Sequence, residues 1–146
     1  MNKSRSRMEI ALKALVIPVL RERGFTGFMP HFRRITAEYV HLISFQFDQY
    51  GGGFVIEVAI APNAPLITKW KGTIAANKMS AHDLAERLRL HPKGILKNSS
   101  TDDWFRYDQM LPRIFGNPYT RVAKQVLKVL ALAENYWENR HKTALP

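Results

Sequence analysis

Three consecutive glycines between two β-rich runs leave the stretch from Tyr39 to Pro62, YVHLISFQFDQYGGGFVIEVAIAP, few ways to fold. Side chains along a strand alternate between its faces, so Ile43, Phe45 and Phe47 share one side of the first run. Phe54, Ile56, Val58 and Ile60 share one side of the second. Gly51, Gly52 and Gly53 supply the positive φ angles of a tight reversal, and the pair reads as an antiparallel hairpin with one strongly apolar face. The opposite face carries Val40, Leu42, Ser44, Gln46, Val55, Glu57 and Ala59. These are smaller and partly polar, so this face is expected to be half-solvated or to floor a groove. Glycine runs also cradle phosphates, but a P-loop ends in Gly-Lys-Ser/Thr and opens a helix, whereas these glycines open a strand. The corner is read as a turn.

A sheet with one apolar face needs a cover, and the chain offers a helix at each end. Met8, Leu12, Leu15, Val16 and Val19 recur at spacings of three and four. Ser6 and Glu9 match a capping box that would open this helix after a basic arm, residues 1–6. Pro18 is expected to kink it, and Gly24 to stop it with Phe25 folding back. At the other end Asn117 caps and Pro118 opens a long helix whose stripe is Val122, Val126, Val129, Leu130, Ala133 and Trp137, running to about His141. HFRRIT, residues 31–36, reads as a first strand, and a short turn of helix after Ser80 leads to another at about Arg87 to His91. Trp70, between Lys69 and Lys71 in an irregular stretch, is expected to cover an end of the core, with base stacking as the alternative. The expectation is a single α+β domain over residues 1–146, an antiparallel sheet of about four strands packed on one face by the N- and C-terminal helices.

Charge is the unusual bulk property. The formal net charge is +10, and there are no cysteines, which excludes disulfides, thiolate zinc sites and thiol nucleophiles. Residues 1–34 hold eight Lys/Arg against two acids, while residues 35–68 hold no Lys/Arg and three acids, so the hairpin is an acidic island in a basic chain. Such an excess favours an anionic ligand, an acidic protein surface or nucleic acid, and the plainer reading is a solubility charge. The basic, then apolar N-terminus invites comparison with a secretory signal, but Glu9 and Lys13 interrupt it and no small-x-small site follows Leu20. No run approaches the roughly 18 apolar residues of a membrane span. A cytoplasmic protein without a membrane partner is expected.

Catalytic patterns are scarce. His31, His41, His82, His91 and His141 show no metal-ligand spacing. His82-Asp83 beside Glu86 comes nearest, yet a zinc helix needs two histidines at i, i+4. There is no Gly-x-Ser-x-Gly elbow, Ser99 and Ser100 lie in a polar loop, and Asp102-Asp103 reads as a cap or as arginine partners. No catalytic residue, metal site or cofactor is assigned. The more informative set combines arginine and aromatic residues: Arg33, Arg34, Arg87, Arg89, Asp103, Trp104, Arg106 and Tyr107, with Gln46 and Glu57 on the hairpin's polar face. Alternate arginines on a strand point the same way, so Arg87 and Arg89 together could grip a phosphate or carboxylate bidentately. The plainer alternative pairs them with Glu57, Asp102 or Asp103 and puts Trp104 and Tyr107 in the core.

The succession of LKALVIPVLRERGF, PHFRRIT, ISFQFDQYGGGF and then RLRL followed by DDWFRYD resembles the domain-of-unknown-function family numbered 4304, over nearly the whole chain. The resemblance implies a small bacterial α+β domain with no assigned activity and no catalytic residues to carry over. It also groups Arg87 and Arg89 with the Asp-Trp-Phe-Arg-Tyr run as a family signature. The functional expectation is a non-enzymatic binding module for an anionic ligand or protein surface. The alternative is sequence-tolerant nucleic-acid binding by Lys3, Arg5, Arg7 and the Arg121, Lys124, Lys128 face. A third is an enzyme acting on a phosphorylated or carboxylated small molecule, with His82 or His91 beside the arginines.

Overall fold

The hairpin forms in the register that its alternation requires. The structure is a computed structural model describing residues 3–92, 103–109, 112, 114 and 116–144. In chain order its elements are α1 (Lys3–Leu15), α2 (Ile17–Glu22), β1 (Thr26–Phe28), β2 (His31–Ile35), β3 (Tyr39–Phe47), β4 (Gly53–Pro62), β5 (Leu66–Thr68), β6 (Gly72–Ile74), β7 (Leu88–Arg89), β8 (Phe105–Arg106) and α3 (Pro118–Ala144). Strands β3 and β4 pair antiparallel from Phe47 opposite Phe54 to Tyr39 opposite Pro62. The main sheet runs β1-β2-β3-β4-β7, and β8 shares the β4 edge with β7. The protein is therefore α+β, with an antiparallel sheet somewhat wider than the four-stranded meander read from the sequence.

Both helix ends of the chain pack on the Phe/Ile/Val face. Met8, Leu12, Leu20, Val122, Val126 and Trp137 are buried against Phe32, Ile43, Phe45, Phe54, Ile56 and Val58. Pro18 falls in the first turn of α2, just past the break that separates it from α1. Gly24, at φ +90°, ends that helix, and the Phe25 amide donates back to the Leu20 carbonyl at 2.9 Å. Asn117 caps α3, its Oδ1 accepting from the amides of Tyr119 and Thr120 at 2.8 and 3.2 Å. One expectation is corrected: α1 begins at Lys3, so Ser6 lies inside the helix and residues 3–6 are helical instead of forming an arm. The Arg5–Glu9 pair at i, i+4, 3.2 Å apart, supports that extra turn.

The second sheet face is not half-solvated, and this too corrects the sequence reading. Val40, Leu42, Ala59 and Ala61 are buried under Met79 and Ala81, with Leu66, Ile74, Ala76 and Leu84 packed beside them. The cover consists of the small β5–β6 hairpin and two 3-10 turns, Ala76–Lys78 and Ala81–Asp83. Leu66 and Ile74 face each other across that hairpin and supply its packing. Trp70, at its tip, is 95% exposed, so it does not close the core.

The helix face is locked to β2 and β3 by one polar knot. Arg34 donates from both terminal nitrogens to the Glu134 carboxylate of α3, at 3.0 and 2.7 Å, while its guanidinium lies over the Phe25 and Trp137 rings. Its Nε–H donates to His41 Nδ1 at 3.0 Å. The His41 proton must then sit on Nε2, which donates to His141 Nε2 at 2.8 Å. Trp137 stacks on His41 and donates its indole N–H to the Ala59 carbonyl at 2.8 Å.

Burial, with help from the Arg34 charge and from His141, pushes His41 down from 6.5 to about 4, against the upward pull of Glu134. Between those values the unfolded chain takes up a proton that the folded state refuses, so stability present above 6.5 is lost as pH falls toward 4. His31, lowered by burial and by the charges of His82 and Arg33, acts in the same direction. Urea unfolding is expected to show His41 removing up to about 3 kcal/mol between neutral pH and about pH 4. A His41→Phe variant should be less stable at neutral pH but show a flatter dependence across that window.

Candidate functional site

Glu57 sits in the middle of β4 and points away from the helices, into the covered face, where it is only 6% exposed. A carboxylate there needs partners, and the next edge strand supplies them. β7 places Arg89 directly opposite Glu57, and the Arg89 Nε lies 3.5 Å from Oε2. Arg87, two residues earlier and so on the same side, brings its Nε to 3.7 Å from the same oxygen. Oε1 lies 3.4 Å from His82 Nε2. All three distances exceed the 2.7–2.9 Å typical of tight charge-assisted bonds. The Arg87 and Arg89 side chains stay 33% and 44% exposed and make no other hydrogen bond or ion pair among the described residues.

The turn that carries His82 is braced from behind. Asp83 Oδ2 accepts from the Ser80 amide at 2.9 Å, and Oδ1 meets Lys71 Nζ at 2.9 Å. Burial alone would raise the Asp83 pKa, but the Ser80 hydrogen bond and Lys71 outweigh it and hold the carboxyl below its ordinary value. Arg33 Nε donates to the Met79 carbonyl at 2.8 Å, pinning the preceding loop to β2. His31, also on β2, packs edge-on against His82 and shares a 2.7 Å hydrogen bond with Ser44.

The residues singled out in the sequence divide between the two faces. Arg33, Glu57, Arg87 and Arg89 gather on the covered face, where the register also places Gln46, opposite Val55 and exposed. Arg106 faces Gly53 across the edge, and a side chain on Gly53 would meet both Arg106 and Trp104, so these two lie on the same side. The Arg106 guanidinium stands 5.9 Å from the Trp104 ring. Asp103, half-buried, immediately precedes them, and Asp102 lies outside the described residues, as do Ser99 and Ser100. Arg34 belongs to the opposite face with Glu134, and Tyr107 is buried there beside Tyr119. Ser44, which the sequence already placed with Gln46 and Glu57 on the side facing the arginines, is in the cluster, whereas sequence reasoning left out His31, Lys71 and Asp83 as its members. Only the strand register and long-range packing bring them together.

The chemistry on offer is that of donors. Ser44 is fully buried and bonded to His31, so it presents no hydroxyl to solvent. No group of three or more His, Asp or Glu side chains among the described residues is placed to hold a metal ion. The alternative basic surface is less coherent: Lys124 and Lys128 are exposed on α3, while Arg121 is half-buried and Arg5 is engaged with Glu9 and stacked over Phe47. No helix among the described residues is long and apolar enough to cross a membrane.

No curated protein and no solved structure matches the chain. A family model, described as a domain of unknown function (DUF4304), matches residues 16–138. That span takes in α2, the whole sheet, the Glu57 cluster and most of α3. Matching well over half of its length, the chain belongs to the DUF4304 family.

Proposed function

We propose that the protein is a non-enzymatic binding module for an anionic ligand, which Arg87 and Arg89 hold on the second sheet face while Glu57 and His82 orient them. The observation that supports this is the sharing of one buried carboxylate oxygen by two guanidinium groups at 3.5 and 3.7 Å. A guanidinium has five N–H donors, and here each spends a single, long contact on Glu57. The remaining donors suit the bidentate recognition of phosphate or carboxylate. Two guanidinium charges against one carboxylate also leave the cluster net positive, within a chain of formal charge +10. Gln46, Trp104 and Arg106, at the Gly53 end of the same side, form its rim, with Asp103 next to them in the chain.

Removing both arginines leaves the buried Glu57 carboxylate with His82 alone, so an Arg87→Ala, Arg89→Ala double variant is expected to lose up to about 3–5 kcal/mol in urea unfolding. Adding Glu57→Gln, which removes the stranded charge, should recover much of that loss and gives a second folded background for the binding test. Thermal unfolding with millimolar pyrophosphate provides the functional check: the parent should be stabilised and the double variant should not respond. An equal rise in both proteins would refute the assignment.

A further inference from the structure

We infer that the partner received on this face is a single-stranded nucleic acid, one base of which stacks on Trp70 while neighbouring phosphates lie on Arg87 and Arg89. This rests on the anion-binding reading above and adds the kind of molecule that brings the anion.

Trp70 has no role in packing. Its ring is 95% exposed, and the β5–β6 hairpin is held down by Leu66 and Ile74. The backbone turn that carries it is nevertheless closed by hydrogen bonds. The Lys71 amide donates to Thr68 Oγ1 at 2.9 Å, and that hydroxyl donates to the Gly72 carbonyl at 2.8 Å, closing the turn around Trp70. Lys71 Nζ then ties the tip to Asp83, the neighbour of the His82 that reaches Glu57. An open indole and a pair of underused guanidinium groups therefore stand on one braced scaffold. Exposed Lys69 and Lys78 add positive charge beside it.

The chemistry of the surface selects among partners. An acidic peptide would satisfy the arginines but leave the indole without a planar partner. A lipid surface would accept a tryptophan flanked by lysines, but Ile67 is the only other strongly exposed apolar side chain of this hairpin, too little for insertion. Each nucleotide supplies both a planar face and a phosphate, and in a single strand the base faces are free to stack. A free nucleotide brings one base and only its own phosphates, so it would be held less tightly than a strand. A strand adds several phosphates against a strongly basic protein.

The test is fluorescence anisotropy with labelled oligothymidylate and oligouridylate at about 50 and 200 mM salt, a range over which phosphate contacts weaken steeply. Trp70→Ala should bind roughly 5- to 150-fold more weakly, the equivalent of one lost stack, with Trp70→Phe retaining part of the affinity. Arg87→Ala, Arg89→Ala should also bind more weakly and show a shallower salt dependence. Because pyrophosphate has no base, its stabilising effect should survive Trp70→Ala. Oligonucleotide binding unaffected by Trp70→Ala, or absent at about 50 mM salt, would overturn the inference. So would Trp70-dependent binding to anionic vesicles or polyglutamate in place of the strand. If pyrophosphate still responds to the arginines in those cases, the anion site stands and only its partner is wrong. If the arginine variant binds the strand as the parent does, the phosphate placement fails.

Discussion

Glu57 is a charge that β4 carries, opposite Ser44, into a face whose apolar part is valine, leucine and alanine, and much of the second layer is arranged around it. A buried carboxylate costs several kcal/mol unless it is paired. Its partners come from two separate stretches, the β7 edge strand and the 3-10 turn Ala81–Asp83, and each arrives with its own support. Arg89 is held by strand pairing, and His82 by a turn that Asp83 ties to Ser80 and to Lys71. The result is a chain of polar contacts from β4 to the tip of the β5–β6 hairpin. The long Glu57 contacts and the exposure of both arginines distinguish this arrangement from a closed structural ion pair.

The two sides of the sheet answer different physical demands. The helix side buries large side chains, and its main polar cluster is the Arg34–Glu134–His41–His141 knot, with contacts of 2.7–3.0 Å. That knot joins α3 to β2 and β3 and makes acid sensitivity a property of the fold. The other side has a thin cover, with few large apolar groups, and only around Glu57 are its polar contacts long, at 3.4–3.7 Å. The proposed anion site uses that second side, where the Arg87 and Arg89 donors can be redirected without opening the main core.

Long periodic elements were legible in the sequence. The β3–β4 hairpin spans nine or ten residues per strand, and α3 runs 27 residues, so alternation and the helical stripe both had room to repeat. β1, β7 and β8 have two or three residues each, less than one useful period, and they form only because a neighbouring strand offers an edge. Residues 62–84 contribute isolated apolar side chains at no regular spacing, so their role as a cover was hidden, and with it the burial of Ser44 and Glu57. Pairing of Arg87 or Arg89 with Glu57 could be weighed from the sequence, since opposite charges on facing strands are a natural match. Arg33 and Arg34 were grouped as neighbours, although period two sends adjacent strand residues to opposite faces. The cap motif at Ser6 misled because a capping box marks a possible helix start, and here the helix already runs through it from Lys3.

Nitrogen-resolved NMR of the arginine Nε–H groups during a pyrophosphate titration tests the central claim most directly. If the Glu57 cluster is the anion site, the Arg87 and Arg89 resonances move together and saturate at one concentration, with the His82 ring following. Arg34, locked on Glu134 on the far side of the sheet, should stay still. Shifts confined to Lys124 and Lys128 on α3, with Arg87 and Arg89 unmoved, would contradict it.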